Sequence, residues 1–217
     1  MKFVLPIFLL FCLLGFLAKP VDAHQPRMVT GEQTVTIENP AVSQAFYGTL
    51  RGEPAEFQIT TENELDLYVS ILVPDLPERR KDFTVEVFRI DDGERTLLSQ
   101  LDGANHDWET FHEPFVNDTY FQGPESENTL PAGIYTITVS NPDNTGKYVL
   151  SVGQEESFSL AETIQTIQRL PDVKRFFNKS PWTAYFNLVG VFIVVSLLIL
   201  VALVYGVYRL GSLLFKK

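Results

Sequence analysis

Two long apolar runs bracket a stretch in which hydrophobic and polar positions alternate. Between residues 34 and 153 the segments "TVTIE", "AEFQIT", "LDLYVSILV", "FTVEVFRI", "TLLSQL", "GIYTITVS" and "KYVLSVG" are rich in β-branched and aromatic residues. Their partial period of two predicts short strands with one buried face. Asp92-Gly93 in "RIDDGERT" predicts a tight hairpin, and "NPDNTGK" (141–147) predicts a second hairpin between the last two strands. The expected fold is mainly β: an antiparallel, jelly-roll-like β-sandwich of seven to nine strands spanning 24–157.

After Gly153 the period lengthens. Leu160, Ile164, Ile167 and Leu170 share one helical face, and Ser159 and Glu162 have capping-box spacing. Pro171 is expected to end that helix, with Asp172 capping a second short turn, "VKRFFN". Residues 158–181 therefore read as a helical stalk, packed on the sandwich or on another copy. A membrane-surface role is the alternative for its basic second turn.

The two apolar runs differ in kind. The first, "FVLPIFLLFCLLGFLA" (3–18), follows Lys2 and is broken by Lys19, Pro20 and Asp22. Val21 and Ala23 stand at the −3 and −1 positions of a signal-peptidase site, so 1–23 reads as a cleaved signal peptide carrying away Cys12. The second, within 182–208, is uncharged and exceeds the ~20 residues needed to cross a bilayer. Trp182 and Tyr185 mark one interface and Tyr205 and Tyr208 the other. Arg209, Lys216 and Lys217 in the tail (209–217) predict a cytoplasmic C-terminus. The expected product is a single-pass type I membrane protein, with its sandwich at the cell surface or in the periplasm.

Charge narrows the partners. Residues 24–180 carry 12 basic and 26 acidic side chains, a net charge of about −14. Such a surface repels nucleic acid and favours cations, basic proteins or neutral glycans. With Cys12 removed, no cysteine remains for thiol catalysis, a disulfide relay or a cysteine-based zinc site.

The strands "ELDLYVSILVPD" (64–75) and "LPAGIYTITVSNPDNTGKYVLSVG" (130–153) resemble the bacterial pre-peptidase C-terminal type of secreted β-sandwich. That resemblance implies a non-catalytic module, often an accessory to another protein or domain. The chain departs from the family in its length, its membrane anchor and the segment Asp102–Thr129.

That segment is long for a connection within a sandwich, which points to a functional loop. Trp108, Phe111, Phe115, Tyr120 and Phe121 either form a ligand platform for a protein or glycan or pin the loop to the sandwich. His106 and His112 stand among acidic neighbours. "HEPFV" lacks the second histidine of a zinc helix, and Ca²⁺, though compatible with the many carboxylates, has no supporting ligand spacing. No nucleophile elbow, phosphate loop or dinucleotide fingerprint occurs. Asn117 and Asn178 begin N-glycosylation sequons.

Cleavage after Ala23 leaves His24 first, offering its amine and imidazole as a copper chelate. This start resembles those of lytic polysaccharide monooxygenases and periplasmic copper-resistance sandwiches, which implies a second histidine, here His106 or His112. Three functions follow: an extracytoplasmic binding or accessory module, a copper-binding or copper-dependent oxidative protein, and a structural subunit of a membrane complex. The third rests on Ala202 and Gly206, a small-residue contact for homo-oligomer formation in the span.

Overall fold

The structure, a computed structural model, describes residues 24–31, 34–113, 117–157 and 159–214. Residues 1–23, expected to be a signal peptide, and Phe115, Lys216 and Lys217 lie outside the described residues. The strands are β1 (Gln25–Met28), β2 (Val35–Thr36), β3 (Gln44–Arg51), β4 (Ala55–Thr61), β5 (Leu65–Pro74) and β6 (Thr84–Asp91). They continue with β7 (Glu94–Asp102), β8 (Glu109–Glu113), β9 (Asp118–Leu130), β10 (Gly133–Ser140) and β11 (Thr145–Val152). Two sheets result, ordered β1-β3-β11-β5-β9-β8 and β2-β4-β10-β6-β7.

Alternation explains the layering. Phe46, Leu67, Ile71, Tyr148 and Leu150 point inward from the six-stranded sheet toward Phe57, Ile59, Tyr135, Ile137 and Val85 of the other. Gly48 on β3 pairs with Tyr148 on β11, and the tyrosine ring occupies the space a Cβ would fill. The expected sandwich is present, with more strands than the patterned segments suggested among the described residues. β1 and β2 add in parallel to β3 and β4 at the sheet edges, while the remaining pairings are antiparallel.

Asp92 and Gly93 both take positive φ and close the β6–β7 hairpin, as predicted. "NPDNTGK" does not close a hairpin: β10 pairs with β4 and β6, and β11 with β3 and β5. Asn144 and Gly146 at positive φ reverse the chain, but the two strands stack face to face across the core. Turn chemistry fixes reversal; burial of Tyr135 and Ile137 against Tyr148 and Leu150 decides which strands pair.

The segment Asp102–Thr129 is likewise not one loop, because it supplies β8 and most of β9. Gly123-Pro124 forms a bulge in β9 opposite Ile71, which is how a Gly-Pro pair fits within a strand.

The stalk forms one helix, α1 (Leu160–Phe176), with Pro171 inside it. The Ser159 side chain accepts from the Glu162 amide at 3.1 Å, while the Glu162 carboxylate pairs with Arg27 at 3.2 Å. Proline removes the donor for the Ile167 carbonyl, and the Tyr185 hydroxyl approaches that oxygen at 3.5 Å. Packing thus carries α1 through the residue expected to end it. A 3₁₀ turn, Pro181–Tyr185, then leads into α2 (Leu188–Leu214). Residues Gly190–Arg209 of α2 are long and apolar enough to cross a membrane, and almost none of them is buried within the chain.

Candidate functional site

The outer face of the six-stranded sheet holds the chain's least ordinary chemistry. Ala45, Tyr47, Tyr120 and Val149 on that face pack against Val173, Phe176 and Phe177, from α1 and the residue that ends it. Tyr47 meets Phe176 edge-on at 5.3 Å, and Tyr120 meets Phe177 at 4.9 Å. Of the readings offered for the stalk, packing on the sandwich is the one seen: the two phenylalanines of the basic second turn are buried there.

Beneath the helix end, Asp118 is fully buried and accepts from Lys174 at 2.7 Å and from Lys179 at 2.6 Å. Both carboxylate oxygens are thus engaged, and the Lys174 side chain is only 3% exposed. Beside it the hydroxyls of Tyr47 and Tyr120 lie 2.9 Å apart in a buried hydrogen bond. Burial pushes both phenols well above their ordinary range; a hydrogen bond from Tyr120 partly offsets the rise at Tyr47, and the Glu113 and Asp118 carboxylates add to it at both. Lys147 donates to the Phe176 carbonyl at 2.5 Å and to Asn178 Oδ1 at 2.8 Å, and burial holds its ammonium below the ordinary lysine range.

α1 leaves a cavity of about 210 Å³ against this face. It runs from His24, beside β1, across Tyr47, Leu72 and Val149 to Phe111 on β8. Ile167 and Leu170 roof it, and Phe192 of α2 closes the side toward the apolar span. Its surface is mostly apolar, and of the carboxylates that line it Glu162 pairs with Arg27, so the space suits an apolar occupant.

His24 lines this cavity, with its imidazole Nδ1 against the Ser43 hydroxyl and Ser151 Oγ 3.3 Å from Nε2. His112 lies on β8, at the opposite edge of the sheet, where Nδ1 is 3.2 Å from Thr119 Oγ1. His106 sits edge-on to Trp108 in the turn after β7. The three histidines are dispersed, and no group of three metal-ligating side chains stands together among the described residues. The residues present do not assemble the second-histidine arrangement that a copper chelate at His24 implies.

The aromatic set is divided between the two faces. Tyr120 and Phe111 lie on the helix side, with ring centroids 6.3 Å apart. Trp108 and Phe121 pack against the inner core, with the Lys81 ammonium 3.5 Å from the Phe121 centroid and 6.0 Å from that of Trp108. Trp108 Nε1 donates to the Gly103 carbonyl at 2.7 Å, and its ring covers Gly123. Ala202 and Gly206 lie along α2, with open space where a Cβ on Gly206 would point.

From the sequence, Tyr47 has no separate role and Lys174 and Lys179 read as basic residues just above the membrane, whereas both lysines pair with Asp118. A signal was present: Ala45, Phe46 and Tyr47 are consecutive in β3, and "YVLSV" (148–152) leaves little polar face. Strands buried on both sides read as continuous runs, which predicts a cover on the outer face.

No family model and no curated protein matches the chain. Among solved structures it is similar to the pre-peptidase C-terminal domain of collagenase from Bacillus anthracis, at 13% identity and a TM-score of 0.36. That match covers 58% of this chain and 97% of the other. A β-glucosidase from Paenibacillus barengoltzii is similar at 12% identity and a TM-score of 0.20, over 63% of this chain and 14% of the enzyme. The first likeness falls on the family that the strand motifs resemble, and at these scores neither carries an argument about activity.

Proposed function

We propose that the chain is a membrane-anchored, extracytoplasmic binding module whose sandwich is held directly against the bilayer. One observation carries this reading: sandwich, α1 and span form a single packed series. Val173, Phe176 and Phe177 join α1 to the sheet, while Leu170 and Ile167 join it to Ala184 and Ile193 at the start of the span. A stalk built only to give distance would have no reason to bury Asp118 and Lys174 beneath it. Arg209 at the far end of the span supports a cytoplasmic C-terminus, and the acidic surface supports basic or neutral partners.

Protease added outside intact cells or spheroplasts is expected to remove the sandwich and leave a small membrane-protected fragment containing the span. A sandwich that stays protected until the membrane is opened reverses the orientation. N-terminal sequencing of the purified chain is expected to begin at His24.

A further inference from the structure

We infer that the cavity beneath α1 is a binding site for one acyl chain of an outer-leaflet phospholipid. The inference rests on the membrane-anchored reading, because the lipid must be within reach.

Three features identify the occupant. The cavity, about 210 Å³, is larger than the ~150 Å³ apolar cavity that takes benzene or xenon, and its lining reaches from His24 beside β1 to Phe111 on β8. Polar side chains such as Glu113, Glu162 and Thr166 stand among its lining, but most of its surface is apolar. Residues such as Ala45, Leu72, Val149, Ile167 and Leu170 offer a methylene chain contact area without hydrogen-bond direction. Its last wall is Phe192, a residue of the apolar span that is itself 55% exposed. One ring therefore faces the cavity on one side and the bilayer surroundings on the other. Trp182 and Tyr185, 77% and 37% exposed, precede the span and mark the level of the membrane interface. The polar groups at the far end, His24, Ser43 and Ser151, are already bonded to one another, so the tail rather than a head group is what the site reads.

The test uses the full chain in phosphatidylcholine nanodiscs containing a phosphatidylcholine with a photoactivatable acyl chain, with crosslinks mapped by mass spectrometry. Labelling is expected on Ile167, Leu170 and Val149 as well as along the span. Thr166→Trp, from the cavity-lining face of α1, should reduce the cavity labels about ten-fold or more, because a filled cavity leaves no room for the chain. Span labels should be unchanged. If Thr166→Trp displaces α1, judged by faster amide exchange along the helix, Leu72→Phe fills the same space from the sheet. Labels confined to span residues in wild type and variants alike overturn the inference. So do crosslinks showing that residues 3–18 of an uncut chain, or a second copy, occupy the cavity. A span that takes no label overturns the membrane-anchored reading itself, which keeps the two failures apart.

Discussion

On one face of the six-stranded sheet, Phe46, Leu67, Ile71 and Leu150 meet a second sheet; on the other, Ala45, Tyr47, Tyr120 and Val149 meet a single helix. The sheet-to-sheet interface contains apolar side chains of matched extent and closes without charge. A helix is about 10–12 Å across, whereas six strands at ~4.8 Å spacing spread over about 24 Å, so one helix cannot seal the whole face. The outer face is accordingly closed by mixed means: phenylalanines, a tyrosine pair, a buried carboxylate with two lysines, and a residual cavity. The same sheet thus has one face that specifies the fold and one that specifies where the helix, and with it the span, is attached.

Substitutions on opposite faces should separate these roles. Phe57→Ala removes a fully buried inner-face ring and is expected to cost about 3–5 kcal/mol, unfolding the whole sandwich in one transition. Asp118→Ala leaves Lys174 buried without its carboxylate, at a cost also of about 3–5 kcal/mol. Its effect should be local: amide exchange in α1 accelerates while exchange in β5, β10 and β11 stays slow. If Asp118→Ala melts the sandwich together with the helix, the two faces are one cooperative unit and the contrast fails.

The double variant Asp118→Leu with Lys174→Met should recover most of that loss, since apolar replacements of a buried pair are often neutral or stabilising. A chemical denaturation midpoint near wild type would show that the ion pair selects the docking position more than it strengthens it. Gly123→Ala is next in size: the new Cβ would stand 2.6 Å from the Trp108 ring, a strain of about 1–3 kcal/mol. It should lower the melting temperature and change the Trp108 fluorescence without altering exchange in α1.

The smallest effect is that of alkaline pH. Burial raises Tyr47, Tyr120 and Tyr148 above the ordinary phenol value of 10.0, so the folded chain keeps protons that the unfolded chain releases. Their contribution is full below about pH 10 and declines as pH rises beyond it. Ultraviolet titration should show these three of the eight tyrosines ionising only as the chain unfolds. Early ionisation of Tyr47 and Tyr120 alone would place water on the helix side of the sheet.

Much of this was legible in the residues. The alternation in "LDLYVSILV" and "GIYTITVS", the Asp92-Gly93 turn and the apolar span each carry a local signal strong enough to stand without tertiary help. β9 was hidden because "DTYFQGPESENTL" is poor in strand formers, and only its pairing along β5 makes it a strand. The continuous helix was hidden by Pro171, whose penalty is a local property while the packing that overrides it is not. The cavity draws its walls from β1, β3, β5, β8, β9, β11 and both helices, so no single stretch of sequence announces it.

The clamp of Asp118 with Lys174 and Lys179 has a consequence for partners. A domain on a flexible tether surrenders rotational freedom whenever something grips it, and that surrender weakens every encounter. On the proposed membrane-anchored reading, the packing of α1 on the sandwich limits that freedom before any ligand arrives. The exposed strand β7, with Leu97 and Leu98 at its surface, belongs to the body that α1 anchors in this way.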